Sequence, residues 1–443
     1  MAVRELTTLT AIEAADKIAA GDLSAEEYTT ACLERIAALD GKIHAFIHLD
    51  PKEALSQAKA LDERRRNGFS IGPLHGIPVG IKDIFDTADY KTECGSALLK
   101  GRQPMRDSTA VARLRAAGAV IIGKTVTTEF AYFTPGATRN PHDLERTPGG
   151  SSSGSAAAVA AGMVPLAIGS QTNGSMIRPA SFCGVYGVKP THGLISRHGA
   201  LMLSRHLDHV GTFARSLPDS ALLLEALAGY DAGDPDTRPI AAPAFLDTLA
   251  AEPPMPPKFA FVRTPVWDKA DAETRAAFEG LAKKLGDCAA TVDLAPSYAQ
   301  AWNDQRTVMS ADMAHNLNDA VERGSDALSP TLRDFLAEGR KVTAVSYLKA
   351  RKNAQGYAAG MNEIFEIYDA ILTPASPGVA PKGTATGNPV FCSLWSLTGL
   401  PAVSLPLLKG EGGMPLGVQL IGPAGDDARL LRTANWLVEK LSD

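Results

Sequence analysis

Helix-like and strand-like stretches alternate along this chain, and that alternation predicts an α/β protein built around a sheet. Two further observations support it. Of the 443 residues, 45% are apolar, ample for a large buried core. The apolar runs are also short and bounded by glycine-bearing turns, as buried strands and their connections require.

Residues 8–66 read as helices, with apolar and alanine positions at three-to-four spacing, ending at the polar run ERRRNG. GIPVGIKDIF (76–85) reads as a strand in which Val79 and Ile81 alternate with Gly80 and Lys82. DSTAVARLRAAG is a short helix with Asp107 or Ser108 as its cap and Gly118 as its stop. AVII (119–122) is a buried strand, and SAAAVAA (155–161) a helix of small residues. From Asp234 to Pro257 the chain is rich in Pro and Ala, as in a linker or a long surface excursion. FAFVRT, AETRAAFEGLAKKLG and ATVDL then form a β-α-β unit, and residues 298–367 are mostly helical. AILTPASP, LPAVSLPLL, PLGVQLIG and ARLLRTANWLVEKL return the chain to strands and a last helix. No internal repeat or low-complexity tail is present.

Composition excludes several function classes. The net charge is −5 with both signs mixed and no basic stripe, which argues against a nucleic-acid partner. Cys32, Cys94, Cys183, Cys288 and Cys392 are odd in number and widely spaced, without a C-x-x-C pair. That argues against a disulfide framework or zinc site and fits a reducing, cytoplasmic setting. The N-terminus is charged from Arg4 onward and lacks the apolar core of a secretory signal. Thr147 to Ile177 holds no charged residue, but Gly162, Pro165 and many small polar residues interrupt it. It reads as buried core plus a site, not as a membrane span.

Two motifs match without the physics behind them. GAVIIGKT (118–125) fits the P-loop spacing, yet Ala119, Val120, Ile121 and Ile122 are strand residues following a helix. They do not form a flexible turn around phosphate. GSSSG (150–154) fits the nucleophile-elbow pattern, but a loop precedes it, and His192, His206, His209 and His315 are equally eligible partners. His206 and His209 are three apart but lack the companions of a metal site. No cofactor or metal is expected.

The informative segment is PGGSSSGSAAAVAAGMVPLAIGSQTNGSMIRPASFCGVYGVKPT, residues 148–191. Two polar glycine-rich turns flank a helix and a strand. The first offers Ser151, Ser152, Ser153 and Ser155; the second offers Thr172, Asn173, Gly174 and Ser175. Glycine beside serine has two readings: a tight turn for close packing, or a row of backbone N–H groups that hold an oxyanion beside a hydroxyl nucleophile.

The whole segment resembles the signature of the amidase signature family. GIPVGIKDIFDT (76–87) is similar to that family's lysine strand, and TGLPAVSLPLL with MPLGVQLIGP to its closing segment. The resemblance spans most of the chain and is weakest between about 230 and 365. It implies a single domain with a central mixed, twisted sheet covered by helices on both faces. Within residues 1–443 these are an N-terminal helical region 1–68, a signature core 69–230, a variable helical cap near 298–367 and a return to the sheet over 368–443. It implies an amidohydrolase that cleaves small amides through an acyl-enzyme. Ser175 would be the nucleophile, Ser151 a bridging serine after a cis peptide at Gly150, and Lys82 the base. Thr172, Asn173 and Gly174, with Ser175 itself, would supply the oxyanion N–H groups. The chemistry requires such a set: serine attacks only when a base takes its proton, and lysine is a base only when burial lowers its pKa. Lys124 and Lys189 match family blocks as structural residues.

Three positions depart from the family pattern. Ser153 stands where glycine is usual, Gln171 replaces an aspartate, and Ile177 replaces an arginine. The last two would form a buried ion pair, so losing both together avoids an uncompensated charge. Arg178 appears instead, and this pattern resembles the malonamidase branch, in which an arginine holds a substrate carboxylate. If a helix begins near Ser175, Arg178 lies on the nucleophile's face and suits bidentate carboxylate binding. Ser170 could add a hydroxyl to the substrate site; otherwise Arg178 is structural and bonds backbone carbonyls. The expected partner is a small amide, with no membrane; dimers are common in the family, so a homodimer is among the expected arrangements. Two other functions compete: the glutaminase subunit of a tRNA-dependent amidotransferase, and an inactive binding or scaffold protein.

Overall fold

The computed structural model describes residues 3–442, and the outermost positions of the expected regions 1–68 and 368–443 lie outside those residues. Among the described residues eleven strands form one sheet. In chain order they are β1 (Phe46–Leu49), β2 (Pro78–Lys82), β3 (Val120–Thr125), β4 (Leu166–Gln171), β5 (Tyr186–Lys189), β6 (His209–Ala214), β7 (Phe259–Arg263), β8 (Ala289–Asp293), β9 (Ala370–Pro374), β10 (Ala402–Lys409) and β11 (Pro415–Ile421). Their spatial order is β1-β3-β2-β4-β6-β5-β10-β11-β9-β7-β8. β3, β2 and β4 run parallel, as do β9, β7 and β8, while the strands between these sets pair antiparallel. The sheet is therefore mixed.

Every residue of β2, β3, β6, β9 and β11 is buried. Successive strand residues point to opposite faces, so helices and loops cover both faces. The alternation read in β2 therefore does not mark an exposed face: Gly80 is buried like Val79 and Ile81, and so is Lys82. The edge strands β1 and β8 are short and partly exposed.

Helix starts follow their caps. Thr10 and Ser24 open helices Ala11–Ala20 and Ala25–Ile43 with full capping boxes to Glu13 and Glu27. Ser108, not Asp107, caps Thr109–Ala116, while Asp107 binds Ala88 N and Arg115. The small-residue helix runs Ser153–Ala160 and lies so close to the sheet that a Cβ on Gly154 would strike Ala45 O and Val126 N.

Two expectations need correction, on residues 8–66 and 234–257, and others hold. The helical stretch 8–66 is interrupted by β1, whose four residues pair with β3 and are too few to show a period of two. The Pro/Ala-rich stretch 234–257 is anchored by helix Phe245–Ala250, whose Phe245 is buried against helices Leu217–Leu227 and Asp427–Ser442. The helix after Ser175 begins at Ile177, with Met176 as its cap. Residues 301–316, 318–324, 330–339 and 344–365 are helices, and the unit FAFVRT to ATVDL forms parallel β7 and β8 around helix Ala272–Leu285. Among the described residues no helix is long and apolar enough to cross a membrane.

Candidate active site

The site forms where parallel β2 and β4 end. Lys82 is the last residue of β2, and Ser170 and Gln171 close β4. The turn Thr172–Ser175 leads into helix Ile177–Cys183, and the loop through Ser151 leads into helix Ser153–Ala160. Open α/β sheets commonly place their sites at such carboxyl ends.

Lys82 is fully buried. Its Nζ lies 2.6 Å from Ser151 Oγ and 2.8 Å from Ser170 Oγ. Burial pushes its pKa down to about 7, against smaller opposing effects of Asp208 and Cys94. A substantial share of the amine is therefore neutral near pH 7. Asp83 does not take this lysine; its carboxylate lies 3.4 Å from Lys124 Nζ. Lys124 also donates to Phe85 O and to the hydroxyls of Thr87 and Thr92, so the P-loop-like motif is a strand with a structural lysine.

Ser151 follows a cis peptide bond from Gly150. Its carbonyl accepts from Thr128 N at 3.3 Å. Ser151, Thr172, Asn173, Gly174, Ser175 and Arg178 line one small cavity together with Tyr132, Phe133 and Met309. Ser175 is 9% exposed. Among the described residues no hydrogen bond joins Ser175 to Ser151. Catalytic hydrogen bonds often tighten only once substrate is bound.

The turn that carries Ser175 is clamped from outside. Asn173 O accepts from Ser396 Oγ, and Asn173 Oδ1 accepts from Ser393 Oγ at 2.8 Å. Thr172 Oγ1 donates to Asp208 Oδ1 at 2.6 Å. Gln171 is the pivot beneath the turn: its Oε1 accepts from Met176 N (2.9 Å) and Ile177 N (3.1 Å), and its Nε2 donates to Ser396 Oγ (3.0 Å). A neutral amide thus caps the following helix, and buried Ile177 needs no partner. Ser393, Ser396 and Asp208 are absent from the sequence-based site; they lie far along the chain, and nothing local marks them.

Arg178 is 2% exposed, and burial lowers its pKa to about 10. Its Nη2 donates to Gly150 O at 2.6 Å, whereas Nε and Nη1 have no partner. Phe133 lies 5.8 Å beneath the guanidinium. A Cβ on Gly174 would stand 3.2 Å from Nη1, which places that nitrogen beside the turn. Ser170 is not among the residues lining this cavity; its hydroxyl is held by Lys82, and it lines a neighbouring cavity. His209 bonds Leu207 O and His192 bonds Arg205 O, and among the described residues no histidine is hydrogen-bonded to Ser151. Among the described residues no group of His, Cys, Asp or Glu could hold a metal ion, and the five cysteines are free thiols.

Comparisons with known proteins identify the family and the fold. The model of the Amidase family matches residues 27–431. The glutamyl-tRNA(Gln) amidotransferase A-chain of Chloroflexus aggregans is 36% identical over 97% of this chain and 96% of its own length. The solved peptide amidase of Stenotrophomonas maltophilia superposes with a TM-score of 0.87 at 30% identity, covering 98% of this chain and 97% of that one. A chain from a structure of a vestigial protein complex that reveals the evolutionary origins of an s-triazine catabolic enzyme superposes with a TM-score of 0.91 at 32% identity, covering 97% of this chain and 98% of that one.

Proposed function

The chain belongs to the amidase signature family, whose members act on carbon–nitrogen bonds, and on that premise we propose that it hydrolyses small carboxylic amides through Ser175, Ser151 and Lys82. The observation that carries this reading is a fully buried lysine bonded to Ser151 beside a cavity shared with Ser175.

Neutral Lys82 takes the proton of Ser151 as Ser151 takes that of Ser175. Ser175 Oγ attacks the amide carbon, and the carbonyl oxygen becomes an oxyanion facing the N–H groups of the 172–175 turn. Each such donor is typically worth ~3 kcal/mol in the transition state. Collapse breaks the C–N bond, with the proton returned through Ser151 to the leaving amine. Water, deprotonated by the same relay, then releases the acid and restores Ser175. Ser170 belongs to the base in this scheme: its hydroxyl fixes the amine and does not touch substrate.

The substrate is an amide that also carries a carboxylate, in the manner of malonamate. Support comes from Arg178, a buried cation in the cavity wall with two of its nitrogens, Nε and Nη1, unpartnered. A buried guanidinium without an acid is costly unless a ligand supplies one. The second reading is a glutaminase subunit working with a partner, favoured by identity to the amidotransferase chains. Glutamine brings an α-ammonium as well as a carboxylate, and among the described residues lining the cavity none is acidic. That favours a substrate bearing the carboxylate alone.

The test is a panel of malonamate, malonamide, an aryl amide and glutamine, scored for ammonia or amine release. Malonamate should lead, and Arg178→Ala should raise its KM at least about tenfold while changing KM for neutral amides far less. Equal losses on charged and neutral amides would remove the carboxylate assignment. Glutamine turnover appearing only with an added second subunit would favour the amidotransferase reading. A scaffold protein would leave Ser175 unlabelled by a fluorophosphonate.

A further inference from the structure

A second cavity shares Thr172 with the substrate cavity and is lined also by Ser170, Arg197, Asp208 and His209. Asp208 precedes β6 and is 7% exposed. One oxygen accepts from Thr172 Oγ1 at 2.6 Å; the other accepts from Leu203 N (2.7 Å) and Ser204 N (3.0 Å). Its backbone partners thus fix the carboxylate, which in turn fixes Thr172. Ser170, in contact with Lys82, faces the same space.

Among the described residues lining this space, Asp208 is the one carboxylate. Asp208 and Cys94 are the groups that act electrostatically on Lys82. Burial pushes the Cys94 thiol up to about 12, so it is neutral. Asp83 is taken by Lys124. Arg197 is bound by Asp234 (2.6 Å) and Asp236 (2.5 Å). Burial holds His209 well below its usual range and His192 near 4, so both rings are neutral. Burial raises Asp208 to about 6, and it stays mostly ionised at pH 7.

We propose that Asp208 is a positioning residue of this active site: its buried carboxylate pins the Thr172 end of the oxyanion turn and is the counter-charge to the ammonium that Lys82 becomes on taking a proton. This rests on Lys82 being the base. During acylation the proton moves from Ser175 through Ser151 to Lys82, and Asp208 keeps its charge throughout. A positive charge appears in a dry pocket, where an opposite charge acts far more strongly than in water.

Two variants separate this from a merely structural role. The readout is the rate of fluorophosphonate labelling of Ser175 against pH, with kcat and KM on the best amide of the panel. Asp208→Asn removes the charge and keeps the shape. Its acid-limb midpoint should move down by about one pH unit, because Lys82 loses its opposite charge, and its plateau should fall about tenfold or more. Thr172→Val breaks the contact but leaves the charge; its plateau should fall while its midpoint stays at the wild-type value. A wild-type enzyme that labels normally, beside folded Asp208→Asn with an unmoved midpoint, overturns the inference. If Asp208→Asn does not fold, a moved midpoint in Thr172→Val overturns it instead. Wild-type protein that takes no label removes the Lys82 reading, and this inference with it.

Discussion

Lys82 ends β2 and Lys189 ends β5, and both side chains are fully buried. Burial lowers both to about 7. Their partners differ. Lys189 donates to Leu400 O (2.5 Å) and Pro190 O (3.3 Å), which are carbonyls without a proton to give. Lys82 meets two hydroxyls, one of them on the cavity that Ser175 lines. A lowered pKa therefore does not make a base by itself. The lysine must also face a group that can lose a proton toward a reacting atom, with geometry set before pKa. Lys124, bonded mainly to carbonyls and hydroxyls around Asp83, is a third buried lysine without a path to the cavity.

The contrast breaks most sharply by exchange of the two lysines for methionine. Lys82→Met should lower kcat by at least about 10³-fold with the fold intact, since removing a relay member disables the unit. Lys189→Met should lower the melting temperature, because two buried carbonyls lose their donor, while kcat changes less than about threefold. Circular dichroism melting and steady-state assays on both proteins check this pair. Comparable loss of kcat in the two would dissolve the distinction. Ser170→Ala sharpens the comparison with a smaller effect. It removes one of the two hydroxyls that orient Lys82, and kcat should fall about tenfold to a hundredfold with KM little changed. A rise in KM without loss of kcat would return Ser170 to the substrate side.

What the sequence discloses follows from how local each feature is. The two glycine-serine turns and the β2 lysine are contiguous strings, so the family resemblance they carry picks out Lys82, Ser151 and Ser175. The parallel strands beside them begin with short apolar runs, VIIG in β3 and LAIG in β4, and are equally readable. The clamps are not. Thr172 meets Asp208 across 36 residues, and Asn173 meets Ser393 and Ser396 across 220 and 223. No periodicity marks a single serine or aspartate that becomes important only when two strands are brought together. β1 is hidden for a different reason: four residues inside a helical region carry too little pattern to be told from a helix turn. Gln171 and Ile177 are visible as a paired departure. That the glutamine caps the next helix through two N–H groups emerges only in three dimensions.

The pH dependence of fluorophosphonate labelling at Ser175 tests the claim about Lys82 without knowledge of the natural substrate. Protonated Lys82 cannot accept from Ser151, so labelling should be slow at acidic pH and rise as the ammonium is lost. The predicted curve has its midpoint near 7 and a plateau above it. A rate that is flat across that range, or that climbs only near the pKa of an ordinary lysine at about 10.4, would contradict it.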